Sequence, residues 1–331
     1  MARRKARIPQ GKKLQPAVKT MAFVLDRGTP STIDISQCAS LLNRRFYRQG
    51  LNWAVAGITF FTTGTGSIEV HKIPDTWVAS NAWHKGFAAW TDMQEKALED
   101  AESIKPKFND FKVYMDPIHH QAGVAGNSLP VDSTGTAATA GTWDMSNMII
   151  PDDTVVGNTR DREITWTGAN YPGAAPTSGL NAVSLIEGYA ASRGLPDIRD
   201  PNAPTDAGDA EGVVPENWIG ALDNEGIDQD AEVLQDMLTE NIKAPYPFEG
   251  DGTHTDTMYP GGANQLVGLQ VHDTILVTST TVGGKSSTGG FNAQGGLIRI
   301  SPAIDAGVIA CLVHLVPGPH RGYMCQPMQD V

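Results

Sequence analysis

The chain has little of three things: it holds 3 cysteines, 7% aromatic residues and 19% charged residues. An odd, sparse cysteine set (Cys38, Cys311 and Cys325) makes no disulfide framework and fits synthesis in a reducing compartment, with a single bridge between subunits left open. No run approaches the ~18 apolar residues of a membrane span. The longest apolar stretch, Gly307 to Val316, is strand-sized. The opening Met1-Ala-Arg-Arg-Lys5 is charged with no apolar segment behind it, so it does not read as a secretory signal.

Catalytic and metal-binding patterns are equally sparse. There is no Gly-x-Ser-x-Gly elbow. Gly283-Gly-Lys-Ser286 has the end of a phosphate-binding loop, but Ser279 stands where the pattern needs glycine and a strand pattern follows, so it reads as a turn. His119 and His120 are adjacent rather than four apart, and His254 and Asp256 have no third ligand at a convincing spacing. The acids Asp197, Asp200, Asp206, Asp209 and Glu211 lack the glycine-centred calcium loop and read as a solvated acidic segment, its calcium binding left open. Cys311, mid-strand, reads as a small buried hydrophobe. Carboxylates are plentiful, but nothing singles out an acid–base pair. The expectation is a non-enzymatic protein with no cofactor and no metal.

What the chain does have is a division of charge. The first 48 residues carry eleven Lys or Arg against two acids, Asp26 and Asp34, while the remaining 283 carry 14 basic and 35 acidic residues. A cationic head on an anionic body points one end at a polyanion and keeps the rest away from it. Residues 1–30 are expected to be a flexible basic arm, because Arg3, Arg4, Lys5, Arg7, Lys12, Lys13 and Lys19 are punctuated by Pro9, Gly11 and Pro16 with little apolar surface to offset ordering entropy. Arg27, Arg44, Arg45 and Arg48 extend the positive zone into the globule. These eleven residues are the candidate nucleic-acid contacts, since Lys and Arg release counterions from phosphates. The same composition also fits a nuclear-import signal.

Hydrophobic period divides the rest. Ile33 to Phe46 reads as a helix capped by Ser31 or Asp34, and Asn81 to Ala101 as an amphipathic helix. Asn181 to Ser192 and Asp228 to Asn241 are two further helix candidates. Strands are expected at Leu51–Phe61, Ser67–Ile73, Asp110–Asp116, Arg162–Thr167, Leu266–Leu269, Val271–Val282, Gly296–Ser301 and Val308–Val316. Eight strands interrupted by insertions predict an all-β fold: a single eight-stranded antiparallel jelly roll over residues 31–331, with helical and loop insertions near 75–109, 117–160 and 168–262. Trp77, Trp83 and Trp90 invite a sugar-stacking reading, although aromatics at helical spacing are more often core.

Five passages in order, Ile33–Trp53, Pro74–Phe87, Lys105–Lys112, Tyr259-Pro-Gly-Gly-Ala-Asn-Gln265 and Leu315-Val-Pro-Gly-Pro-His-Arg-Gly-Tyr-Met324, resemble the capsid proteins of small circular single-stranded DNA viruses that encode a replication initiator. The resemblance implies a jelly-roll subunit that self-assembles in many copies into an icosahedral shell. Its basic arm would face a single-stranded DNA genome bound without sequence preference. It also implies a virion protein that passes through the host nucleus, without membrane insertion, with a host import receptor and a cell-surface receptor as further partners. The arm here is shorter than the arginine tracts of circoviruses, with seven basic residues in the first 19, so Arg27, Arg44, Arg45 and Arg48 are expected to share the neutralisation. The competing expectations are a β-sandwich carbohydrate-binding module or glycosidase, and a nucleic-acid-binding β protein that does not assemble.

Overall fold

The computed structural model describes residues 14–98, 110–151, 158–170, 181–194, 219 and 268–331. The first third holds β1 (Thr20–Leu25), β2 (Ser31–Asp34), α1 (Ile35–Asn43), β3 (Leu51–Phe61) and β4 (Gly66–Lys72). A long middle holds α2 (Trp77–Ala97), α3 (Pro117–Ala122), β5 (Asn147–Pro151), β6 (Thr159–Thr165), β7 (Ala182–Ser184) and α4 (Leu185–Gly194). The chain then returns to β8 (Gln270–Val277), β9 (Lys285–Ser287), β10 (Phe291–Ala293), β11 (Leu297–Ile304) and β12 (Ile309–Leu315), and ends in the short strands β13 (Pro317–Gly318), β14 (Gly322–Tyr323) and β15 (Cys325–Pro327).

The framework is β, with antiparallel sheets and few helices. One sheet runs β1-β12-β3-β10, with β9 and β15 also on β3; the other runs β2-β11-β4-β8. Trp53 pairs with both Ala293 and Cys325, and Phe61 with both Ala310 and Lys285, so β9 and β10 share one edge of β3 while β12 and β15 share the other. Alternation explains the packing. Trp53, Val55, Ile58 and Phe60 of β3 point into one core with Ile68 and Val70 of β4, Ile298 and Ile300 of β11, and Cys311 and Val313 of β12. β3 gains a residue on β12 between Val55 and Gly57. At Gly57 φ is +151°, and a Cβ would lie 2.9 Å from the Thr288 carbonyl oxygen, so only glycine fits the bulge.

Two expected boundaries change. The arm expected over residues 1–30 overlaps the fold, because Thr20–Leu25 is a strand burying Met21, Phe23 and Leu25. The same incoming segment bonds both β1 and β2: Val131 N–H donates to the Ala22 carbonyl of β1, and Ser128 N–H to the Thr32 carbonyl of β2. The three insertions expected near 75–109, 117–160 and 168–262 lie in one stretch of chain between β4 and β8, with a second hydrophobic core built from α2, residues 111–115, β5, β6 and β7. Asp110–Asp116 and Arg162–Thr167 therefore do not supply sandwich strands. The first makes only an isolated bridge at Tyr114, and β6 belongs to a three-stranded sheet with β5 and β7. The 181–192 helix begins only at Leu185, after a strand. The candidate helix at 228–241 lies outside the described residues.

The second core packs on the outer side of the β2-β11-β4-β8 sheet. Arg299 of β11 donates to Asp116 Oδ1 (2.5 Å) and to Thr32 Oγ1 (2.9 Å), with both charges buried. A second anchor is Asp34, the N-cap of α1, which accepts from Ser36 N (2.9 Å), Gln37 N (3.2 Å), Gln49 Nε2 (3.1 Å) and Trp143 Nε1 (3.1 Å). One carboxylate thus ties together the start of α1, the loop after it and the insertion.

Candidate nucleic-acid interface

α1 ends by turning left-handed. Arg44 takes φ +51° and its N–H donates to the Ser40 carbonyl, closing the last turn. Beneath that end lie Tyr47, Trp53 and Tyr323, all buried, with ring centroids 5.2 to 5.9 Å apart. This aromatic floor holds two loops and the N-terminal segment together. Asn43 Nδ2 donates to the Tyr323 hydroxyl (2.8 Å), which donates to the Val18 carbonyl (2.5 Å). The Val18 N–H donates to Asn43 Oδ1 (3.0 Å), and the Tyr47 hydroxyl donates to the Arg321 carbonyl (3.1 Å). Arg45 Nη1 reaches Gln15 Oε1 at 2.5 Å, and Arg321 Nη1 the Phe46 carbonyl at 2.6 Å.

The residues so gathered are cationic. Arg44, Arg45 and Arg48 are exposed, and Arg321 joins them from the far end of the sequence. Among the described residues none of the four has a carboxylate partner within ion-pair distance. His320 is held below its ordinary value because burial disfavours the charged ring, and Arg321 and Arg45 add repulsion. Unpaired guanidiniums this close favour an anion with several oxygens, which each can meet with a planar fork of donors. Phe46, 47% exposed, stands among them as an apolar face. The cluster also rims a cavity of about 290 Å³ that reaches under α2.

The described chain begins beside this cluster, at Leu14 to Val18. Lys19 is exposed at the start of β1, its carbonyl accepting from Leu315 N–H. Arg3, Arg4, Lys5, Arg7, Lys12 and Lys13 lie outside the described residues; in sequence they lead into Leu14. Arg27 does not join the group. It lies past the other end of β1, roughly 20 Å away at a strand's rise per residue, where Nη1 donates to the Asp305 carbonyl (2.6 Å). The charge of residues 1–48 marks Arg44, Arg45 and Arg48 as part of a positive zone, and the structure leaves all three exposed on one stretch of chain. It could not foretell Arg321, His320 or Phe46, which tertiary packing alone brings in.

The other candidates have structural occupations. His119 Nδ1 accepts from Met115 N–H (3.0 Å), so its Nε2–H faces Asn127 Oδ1 (2.7 Å), and burial lowers the ring to about 3. His120 pairs with Glu163. No three metal-type side chains converge among the described residues. All three cysteines are free, and burial pushes the Cys325 thiol up to about 12. Trp83 and Trp90 are each 3% exposed in the second core, leaving Trp77 as the exposed tryptophan of α2. Gly283 and Gly284 form a turn into β9. The acidic run 197–211, His254 and Asp256 lie outside the described residues. No helix among the described residues is long and apolar enough to cross a membrane. No protein-family model, no curated protein and no solved structure matches the chain.

Proposed function

We propose that this chain is a structural capsid subunit that assembles into an icosahedral shell around single-stranded DNA. The observation that carries the reading is the meeting of the N-terminal segment with an unpaired arginine cluster on an otherwise acidic body. Lys and Arg there bind phosphates without reading bases, so packaging is sequence-tolerant and weakens with salt. We further read the sandwich as a jelly roll. With β9 and β10 counted as one strand position, the eight strands in chain order occupy sheet positions 1-8-3-6 and 2-7-4-5, the order of two interlocked Greek keys. That fold also serves lectins and other proteins, so function rests on the site. The resemblance of the five sequence passages to single-stranded DNA virus capsid proteins agrees with it.

In this reading the inserted middle of the chain, between β4 and β8, supplies outer surface and subunit contacts, and its acidity repels nucleic acid. The arm doubles as an import signal for a host receptor, and the protein resides in the virion and, during assembly, in the nucleus. The sugar-binding alternative loses two of its three tryptophans to the core. The deciding experiment is native purification from an expressing cell, with negative-stain microscopy and nuclease treatment. Regular particles holding nuclease-protected DNA are expected. A monomer that persists at high concentration, at low and moderate salt, would overturn the shell.

A further inference from the structure

The cavity beside the arginine cluster has more chemistry than phosphate binding requires. Arg48, His320 and Arg321 line it together with Trp83, Phe87 and Phe111. Its aromatic wall is assembled in advance. The Trp83 and Phe87 rings stack at 5.0 Å with planes 8° apart, and Phe111 meets their edges at 5.8 and 5.7 Å. Trp83 is itself held by packing, for a Cβ on Gly50 would lie 2.8 Å from its ring. A ligand therefore meets a rigid apolar surface with little side-chain ordering left to do. A bare anion has no use for that wall, and a neutral sugar has none for two guanidiniums. A planar base bearing a phosphate uses both.

Size and hydrogen bonding narrow the ligand further. A volume of about 290 Å³ is small for a ligand cavity and admits one nucleotide rather than a stretch of them. Asp110 also lines the space; its Oδ2 is held by Lys112, while Oδ1 has no hydrogen-bond partner. The Asp110 carboxylate puts a negative charge in the lining beside the two guanidiniums, which disfavours a plain anion.

We propose that this cavity binds a single nucleotide of the packaged strand, with the phosphate on Arg48 and Arg321 and the base against the Phe87 side of the aromatic wall. Only the source of the nucleotide rests on the packaging reading; the pocket chemistry stands apart from it. The test is equilibrium dialysis of the full-length chain, stripped of nucleic acid in high salt, against deoxyadenosine monophosphate, deoxyribose 5-phosphate and inorganic phosphate. The nucleotide is expected to bind at least tenfold more tightly than either of the others. Phe87→Leu, which keeps bulk and removes the ring, should cost the nucleotide about tenfold and leave deoxyribose 5-phosphate unchanged. Arg48→Gln, at an exposed side chain, should weaken both and keeps the test open if the Phe87 variant does not fold. Equal binding of nucleotide and sugar phosphate, or no nucleotide binding, overturns the proposal. Particles with protected DNA but an indifferent cavity would sink this inference alone. A cavity that binds nucleotide in a protein that never assembles would sink the shell and leave the pocket.

Discussion

Arg44 and Arg321 share a backbone conformation that arginine seldom takes. Both have φ +51°, and among the described residues they are the two non-glycine positions with positive φ. A side chain in that region costs about 1–2 kcal/mol relative to right-handed backbone, and glycine avoids most of it. That both such positions are arginines of one cluster fits local stability given up for binding. Arg44→Gly should therefore be about 1 kcal/mol more stable than Arg44→Ala in urea unfolding, while both lose affinity for single-stranded DNA alike. If alanine proves as stable as glycine, the strain argument fails. Asp34 and His119 offer a second test, because they titrate in opposite senses. Burial raises the Asp34 carboxyl from 3.8 to about 6, against four donors that favour its ionised form, and lowers the His119 imidazole from 6.5 to about 3. Stability from Asp34 is full below 3.8 and is lost as pH rises to 6; stability from His119 is full above 6.5 and is lost as pH falls to 3. Each slope is about 1.4 kcal/mol per pH unit, so between pH 4 and 6 they cancel. Asp34→Asn removes one of the two. Its stability deficit relative to the parent should widen by roughly 2 kcal/mol between pH 6 and pH 4, and His119→Gln should show the reverse trend. A pH-independent gap for both variants would mean that neither group is buried as described.

At the scale of elements, β1 decides where the arm stops. Residues 14–18 lie on the arginine cluster, and residues 20–25 are a strand of the sandwich with three buried apolar side chains. Deleting residues 2–13 should leave the thermal midpoint unchanged. Deleting residues 2–25 removes Met21, Phe23 and Leu25 from the core, about 5–9 kcal/mol of burial as an upper figure. That is comparable to the whole stability of a domain, so cooperative melting should be lost. Equal behaviour of the two truncations would mean that β1 is dispensable. The same strand marks a boundary of what sequence could reveal. β3, β4, β11 and β12 were legible because each is a run of seven or more residues rich in apolar and β-branched side chains, with clean alternation in β4 and β12. β1 was masked by the cations before it, and β2 is four residues long and runs straight into a helix cap. Asp110–Asp116 alternates because Phe111, Val113 and Met115 face the second core. Yet its N–H groups go to Ser146 Oγ, Gln49 Oε1 and His119 Nδ1 as well as to one strand carbonyl, so no ladder forms. Side-chain period reports burial; which partner takes the backbone is a tertiary fact. The candidate cluster divides in the same way: three of its arginines form one local run that composition picks out, and the fourth comes from nearly the whole chain away.

At the scale of the whole molecule, the charge division of the sequence has a counterpart among the described residues. In sequence, six cations of residues 3–13 lead into a segment whose Gln15 accepts from Arg45; Arg44 and Arg48 flank Arg45 in the chain and Arg321 bonds the Phe46 carbonyl beside it, while the rest of the chain is strongly acidic. On the packaging proposed above, the cationic end is expected to face the genome and the acidic remainder to turn away from it. Each phosphate contact to a single strand lowers the salt exponent by about 0.7, so ten contacts set a limit near −7. The two groups of cations can then be separated by slope. Titrating fluorescent oligothymidylate over a range of salt, deletion of residues 2–13 should reduce the slope by about 4 and leave about −3. Replacing Arg44, Arg45, Arg48 and Arg321 by glutamine should reduce it by about 3 and leave about −4. Arg27→Gln, a strand's length away and bonded to the Asp305 carbonyl, should leave it unchanged. If the truncated chain has no salt dependence, the cluster contributes nothing and the arm alone meets the strand. If Arg27→Gln alters the slope as much as a cluster arginine does, the attraction is spread over the surface and the pole does not exist.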